Sequence, residues 1–368
     1  VRISFLKRNF TEELLLPNLD FVVEKYSKAA MGGPKAASIR VKGNDLDLWQ
    51  LITMVRCPVK IYTDQGDAVW WGFLGDVSLT ARNPLSTKPV PVKAGVSIDT
   101  MRNRIAVAYT QIDITTGDMT TATTSWLDDA FSQAEYGTYE LLWTRDGATQ
   151  THAEAARAMK LSLTKYPLPV IQLAASGDEI GASLTLRGWW ETLGWKYYAN
   201  PSTTSVDTSD QVVAMMTAKG QFFSAIDQDV TSGLSISEYK DGDGSALFET
   251  QQLLEMGTTN YRRMLVELNE HRRVRIYEEP AKPVDPYLLL ADGSLHDSLD
   301  APVRKATCPA AFWARHKDII PESVDTGLLA DPGMVFVEEM EYDVENDRLQ
   351  YIAREAPDPW DFPIVKDG

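Results

Sequence analysis

The chain has 368 residues, 44% of them hydrophobic and 24% charged, long enough for two to four domains and rich enough in apolar side chains to bury cores in each. Thirty-six basic against 52 acidic residues leave a net charge of −16, which argues against a protein that grips nucleic acid by neutralising phosphates. The plain reading of that charge is solubility; a sharper one is a wall that repels nucleic acid, such as the lining of a conduit. No stretch approaches the ~18–20 consecutive apolar residues of a membrane span, and the start of the sequence lacks a basic, apolar, small-residue export pattern, so a soluble, unexported protein is expected.

In chain order, Phe21–Tyr26 and Ala37–Val41 read as strands around a turn at Met31–Pro34. Asn44 can cap a helix on which Leu48, Trp49, Ile52 and Val55 recur at three- and four-residue spacing, ending before Pro58. The stretch Val59–Val77 reads as a β-hairpin turning at Asp64–Asp67 with Gly66 in the turn. Its adjacent Trp70 and Trp71 must find cover on opposite faces of their strand, so the hairpin belongs to a larger barrel or sandwich. A Pro-rich loop at Asn83–Pro91 and strands at Val92–Ile98 and Ile105–Ile112 complete a first barrel of about six strands.

The segment Thr115–Thr124 reads as a junction loop, followed by a short helix opening at Ser125–Phe131, a strand at Tyr139–Thr144 and an Ala-rich helix at Thr151–Thr164. Strands resume at Leu168–Leu173 and Ile180–Leu186 and lead into Gly188-Trp189-Trp190, whose aromatic pattern through Trp195 and Tyr198 echoes Trp70-Trp71-Gly72 and suggests a second sheet domain like the first. Helices are expected at Ser209–Ala218 and Ala246–Met256, with strands at Phe222–Ile226, Leu234–Glu238, Tyr261–Glu267 and Arg273–Tyr277. Pro280–Pro286 resets the chain, Leu288–Leu295 reads as a hairpin, Val335–Tyr342 as a strand, and the tail from Ala356 as an extended arm. The expected fold class is mainly β with α+β inserts. A first barrel spans 1–115 and a small insert 116–165; 166–204 with 258–345 form a second barrel, 205–257 a second insert and 346–368 a C-terminal arm.

Chemistry is hard to place. The four histidines, His152, His271, His296 and His316, show no i, i+4 zinc spacing, and Cys57 and Cys308 lie too far apart for a redox or metal pair, so two buried free thiols are expected. There is no nucleophile elbow, phosphate-cradling loop or dinucleotide fingerprint. Asp241–Ser245 lacks the rest of a calcium loop and reads as a polar turn, and with 52 acids chance carboxylate pairs are unavoidable. No catalytic residue, cofactor or metal ligand is therefore expected. Trp, Tyr and Arg are enriched at protein interfaces, which makes Trp70, Trp71, Trp189, Trp190, Trp195, Arg262, Arg263 and Arg273 the candidate interface residues. The plainer reading of the arginines is an exposed strand face, and exposed tryptophans could alternatively stack on sugar rings.

The order of the Val22–Tyr26 strand, the Gly32-Gly33-Pro34 turn, the Leu48-Trp49 helix, and the Cys57-Pro58-Val59 and Trp70-Trp71-Gly72-Phe73 strands resembles bacteriophage tail-tip proteins of the baseplate-hub family. Within that family, the likeness is to the hub of contractile-tailed phages and the N-terminal region of siphophage tail-associated proteins. Ser97–Tyr109 and Glu135–Glu140 with the following Ala-rich helix extend the resemblance across Phe21–Tyr198. It implies a non-enzymatic homotrimer in the virion tail, assembled in the host cytoplasm. Each subunit would give two similar barrels to a ring around the DNA channel. Implied partners are the tail tube or a distal tail protein, a tape-measure protein and a spike or fibre, with double-stranded DNA passing through without specific binding. The C-terminal quarter carries no lysozyme, peptidase or spike repeat, so a cell-wall hydrolase would be another chain. The alternatives are a sixfold distal tail adaptor and a phage carbohydrate-binding protein or glycosidase.

Overall fold

A computed structural model describes residues 1–82, 90–113, 115–175, 178–198, 206–230, 233–236, 244–260 and 262–279. In the C-terminal part it describes 288–289, 295–296, 305–309, 319–321, 334–346 and 348–355. The first strands are β1 (Arg2–Leu6), β2 (Glu13–Leu14), β3 (Leu19–Ala29) and β4 (Gly33–Gly43), the last two forming a hairpin in which Val23 faces Ile39 and Phe21 faces Val41. Helix α1 (Asp45–Gln50) starts where Asn44 accepts the Asp47 N–H at 3.0 Å, as the sequence predicts, and buries Leu48. Then come β5 (Pro58–Tyr62) and the long β6 (Ala68–Arg82), paired as the expected hairpin with Ile61 opposite Trp70.

Strand β6 organises the main sheet because it is long enough to take three partners. It pairs β5 through Phe73 and β7 (Pro91–Ser97) from Asp76 onward. A strand from much later in the chain, Gly181–Arg187, lies between β6 and β4, antiparallel to both.

Ile105–Ile112, expected in the first barrel, instead lies in a separate sheet. There β8 (Arg104–Ile112) pairs antiparallel with β9 (Met119–Thr123) and β10 (Leu127–Asp128), and parallel with β11 (Glu140–Asp146), which follows helix α2 (Ala130–Tyr136). Strand β9 replaces the junction loop expected at Thr115–Thr124, consistent with the strand preference of β-branched Thr. The Ala-rich helix α3 (Gln150–Thr164) closes a small core of Val107, Tyr109 and Ala153. Buried Asn103 ties α2 to this sheet, donating to Ser132 Oγ at 3.0 Å and Gly137 O at 2.8 Å and accepting from Tyr139 N at 2.8 Å. Asp129 caps α2 by accepting from Ser132 N at 2.9 Å; that bond, with help from Lys165, holds its carboxyl below the usual range despite some desolvation. A depressed folded-state value stabilises above the unfolded value of ~3.9, and the gain is lost as pH falls through the folded one. Asp129→Ala is thus expected to cost about 1 kcal/mol at neutral pH, a difference that denaturant titration should find shrinking below about pH 4.

Strands β12 (Val170–Leu173) and β13 (Gly181–Arg187) follow, β12 on the outer side of β7. The Trp189–Trp195 stretch is not a second sheet motif but a 3-10 helix that buries Trp189, Trp190, Thr192, Leu193 and Trp195. A strand alternates faces, whereas a tight helical turn lets all five side chains enter the surrounding core.

A second α+β unit holds β14 (Val206–Asp207), α4 (Thr208–Lys219), β15 (Ala225–Gln228), β16 (Ser235–Ile236), α5 (Ala246–Met256), β17 (Met264–Leu268) and β18 (Arg273–Glu278). Here β18 pairs antiparallel with β17 and parallel with β15, while α4 and α5 match the predicted helices closely. Leu253, Leu254, Met264 and Val266 join the same core as the main sheet.

The C-terminal part contributes β19 (Leu288–Leu289) and β20 (Leu295–His296), paired as expected, then β21 (Lys305–Pro309), β22 (Ile319–Pro321), β23 (Met334–Asp343) and β24 (Arg348–Glu355). Strand β23 extends the main sheet beside β3, and β24 pairs β23 where the extended arm 346–368 was expected; the part of that arm beyond 355 lies outside the described residues. So do the Pro-rich loops at 83–89 and 280–286 and most of the Asp241–Ser245 turn. The fold is mainly β with antiparallel sheets, and among the described residues the strand pairings form an open path rather than a closed barrel.

Tyr26 is buried edge-on to Tyr342 at 5.3 Å, and burial raises its phenol pKa above the ordinary value. An acid raised in the folded state stabilises fully below the unfolded value of ~10, and the gain is lost as pH climbs toward the folded one. Tyr26→Phe should therefore flatten the loss of melting temperature between about pH 10 and 11; an unchanged alkaline slope would overturn this.

Candidate functional site

The sequence-predicted interface residues fall in two places. Trp70 is fully buried, and Trp189, Trp190 and Trp195 are 2%, 6% and 4% exposed, so four of the five tryptophans are covered by this chain itself. Trp71 is half-buried, donates its indole N–H to Leu268 O at 3.0 Å and carries the Lys28 ammonium over its ring at 4.9 Å. The arginines lie on the second α+β unit: Arg263 faces buried Glu279 at 3.5 Å, Arg262 accepts the Thr258 N–H on its carbonyl, and exposed Arg273 pairs with Asp227.

Trp189 is the hub of an aromatic cluster, 5.3 Å from Phe10, 5.0 Å from Phe73 and 5.3 Å from Phe222, while Trp195 stacks on Tyr139 at 4.9 Å. Sequence reasoning missed what sits on it. Phe10, Arg56 and Arg272 are the only non-glycine residues with positive φ among those described, at 67°, 70° and 62°, and both arginines lie over the Phe10 ring. The Arg272 guanidinium lies 3.6 Å from the Phe10 ring centre, and Arg56 lies 5.5 Å from Phe10 and 4.8 Å from Phe222. Burial, reinforced by the nearby Arg8 charge, pushes Arg56 down to about 10, so it is still a cation at neutral pH.

One Arg56 N–H donates to Glu135 O at 2.9 Å, and Arg272 donates to Phe222 O at 2.8 Å. Left-handed backbone costs such residues about 1–3 kcal/mol each and persists only where the surroundings impose it. The junction therefore clamps the N-terminal segment, the turn before β5 and both α+β units together. Arg272 adjoins the candidate Arg273 in the sequence, but nothing in the spacing marks Phe10 or Arg56.

Beside this junction opens a cleft of ≈ 620 Å³, lined by the apolar Leu14, Leu15, Leu16, Met54 and Cys57 and by Arg8 among others. Cys57 is a buried free thiol, and burial pushes its pKa up, away from thiolate reactivity. Among the described residues no tryptophan is exposed and no group of three or more His, Cys, Asp or Glu converges as metal ligands do. No helix there is long and apolar enough to cross a membrane.

The exposed side chains tell a different story from the buried ones. Val90, Leu168, Val170, Ile171 and Leu173 are all more than half exposed and lie along β12 and its border with β7. Leu15 is 84% exposed just after β2. The geometry as a whole is that of a packed β scaffold with bare aliphatic edges.

No family model matches the chain, and no curated protein does. Among solved structures it is similar to the 43 kDa tail protein of prophage MuSo2 from Shewanella oneidensis, at 10% identity over 98% of this chain and 99% of that one, with a TM-score of 0.41. It is also similar to prophage tail protein gp18 from Listeria monocytogenes EGD-e, at 8% identity over 97% and 95% of the chains and a TM-score of 0.38. A tail protein from Neisseria meningitidis MC58 aligns at 8% identity over 91% and 96%, with a TM-score of 0.35. These structural neighbours are tail proteins.

Proposed function

We propose that this chain is a structural component of a phage or phage-like tail, a baseplate-hub ring that joins the tail tube to the distal spike or fibre and encloses the DNA channel. The reading starts from the sequence resemblance across Phe21–Tyr198. The observation that carries it is the bare apolar border of an otherwise well-packed sheet, formed by Val170, Ile171 and Leu173. Exposed contiguous apolar surface on a folded protein marks an assembly contact. The net charge of −16 fits a channel wall past which DNA slides without sticking. The ring is a homotrimer whose chain acts by assembly rather than catalysis, with the tail tube or a distal tail protein, the tape-measure protein and the spike or fibre as its partners.

Native mass spectrometry over a range of concentration and salt, with and without the tail-tube protein, tests this. A trimer is the expected result. A hexamer would replace the hub by the sixfold adaptor, and a monomer that binds glycans would overturn both.

A further inference from the structure

We infer that the outer edge of β12 is a docking strand for a second copy of this chain, which receives it along its own β2 edge and the apolar cleft beside Leu15. The inference deepens the ring reading above and rests on it for the head-to-tail order of the copies.

Directly opposed residues in neighbouring strands put their side chains on the same face of a sheet. The pairings therefore align Val41, Ala182, Leu79, Ala94 and Ile171 in one row across five strands. The first four are 0%, 7%, 2% and 1% exposed, but Ile171 is 57% exposed. The next row runs from Ala81, fully buried, through half-buried Val92 to Leu173, 77% exposed. The core face of the sheet thus continues past its own cover and ends bare at β12.

The backbone agrees with the side chains. Strand β12 pairs with β7 alone among the described residues, leaving its other edge unpaired. Natural edges are usually blunted by charge or Pro; Pro167 and Pro169 stop short of β12, and Val170-Ile171-Gln172-Leu173 itself carries neither. Edge strand β9, Met119–Thr123, is by contrast mostly threonine. On the core-side face Ile171 and Leu173 stand bare with Val90 at the border, and Val170 is bare on the opposite face, so both sides of this edge offer apolar surface to a docking strand.

The same chain supplies a match. Among the described residues strand β2 pairs with β1 alone, so it too has a free edge, flanked by Leu15 at 84% exposure and by a cleft with Leu14, Leu16 and Met54 in its lining. Two different free edges on one chain are what a heterologous contact requires, and repeating that contact around a closed ring leaves neither edge open.

The test uses the whole chain in two variants, Ile171→Lys with Leu173→Lys on the donor edge and Leu15→Lys on the receiving edge. Each alone should sediment as a monomer where the wild type forms its ring, at least a tenfold loss of association, with the melting temperature of wild type measured at a concentration where it too is monomeric. Mixed, they retain one intact contact and should form a 1:1 dimer that grows no further. A Leu15→Lys protein that still self-associates would show β12 pairing with β12, and a double-Lys variant that assembles like the wild type would clear this edge of any role; either overturns the inference while leaving the ring reading in place. A wild type that is monomeric at every concentration and salt removes the ring reading and the inference together. Should a variant misfold, a photo-crosslinking residue at position 173 in the otherwise unchanged chain decides, using isotopically mixed copies. Attachment to residues 7–16 of the second copy supports the contact, and attachment elsewhere or none overturns it.

Discussion

Trp189→Ala is expected to destabilise the isolated chain by about 3–5 kcal/mol, the range for removing a large aromatic from a packed core. Its indole is 2% exposed and meets Phe10, Phe73 and Phe222 within 5.3 Å, so truncation opens a cavity at the meeting point of the N-terminal segment, the main sheet and the second α+β unit. Phe10 and Phe222 also carry the faces on which Arg56 rests, so the loss should spread to that buried cation. A domain holds only about 5–15 kcal/mol in all. Denaturant unfolding of monomeric protein measures the cost directly. If stability were unchanged and only assembly lost, Trp189 would be an interface anchor as its residue type suggests, and the burial argument would fail.

Gly188→Ala should cost about 3 kcal/mol or more, at the upper end for overpacking. A methyl group there would stand 1.7 Å from the Pro34 carbonyl oxygen, and the Gly188 N–H already donates to Lys35 O at 2.8 Å, so the backbone of β4 cannot withdraw without breaking a bond. From the other side, Gly72 comes so close that its own missing Cβ would sit 2.1 Å from Arg187 O. The two Gly-Trp motifs that echo each other in sequence are therefore two surfaces of one contact, with Arg187-Gly188 held between β4 and β6. The neighbouring Arg187 guanidinium reinforces it through Asp76 at 2.9 Å and Asp99 at 2.6 Å. Thermal unfolding followed by tryptophan fluorescence should show the drop; a variant within about 0.5 kcal/mol of wild type would mean the strands part easily there.

Local physics makes much of this protein legible in its amino-acid sequence. Asn44 and Gly257 mark helix ends by their capping chemistry, Gly66 marks the β5–β6 turn, and the 3.6-residue and two-residue periods place α4, α5, β3, β4 and β6 near their true positions. Such signals are short-range, because caps, turns and periodicity depend on neighbours a few residues away.

What decided the rest acts at long range. Strand β13 enters between β4 and β6, about a hundred residues or more from either, and β8 leaves for a parallel pairing with β11; no local pattern names a strand's partner. The five tryptophans attract attention by composition, but only packing shows four of them inside. Conversely, Leu168–Leu173 reads only as a strand, and its place beside β7 leaves Val170, Ile171 and Leu173 bare. Composition, charge, helix ends and most strands followed from the sequence by itself. Which strands adjoin, which aromatics are covered and which edge stays open followed from tertiary structure alone, because burial depends on neighbours distant in the chain.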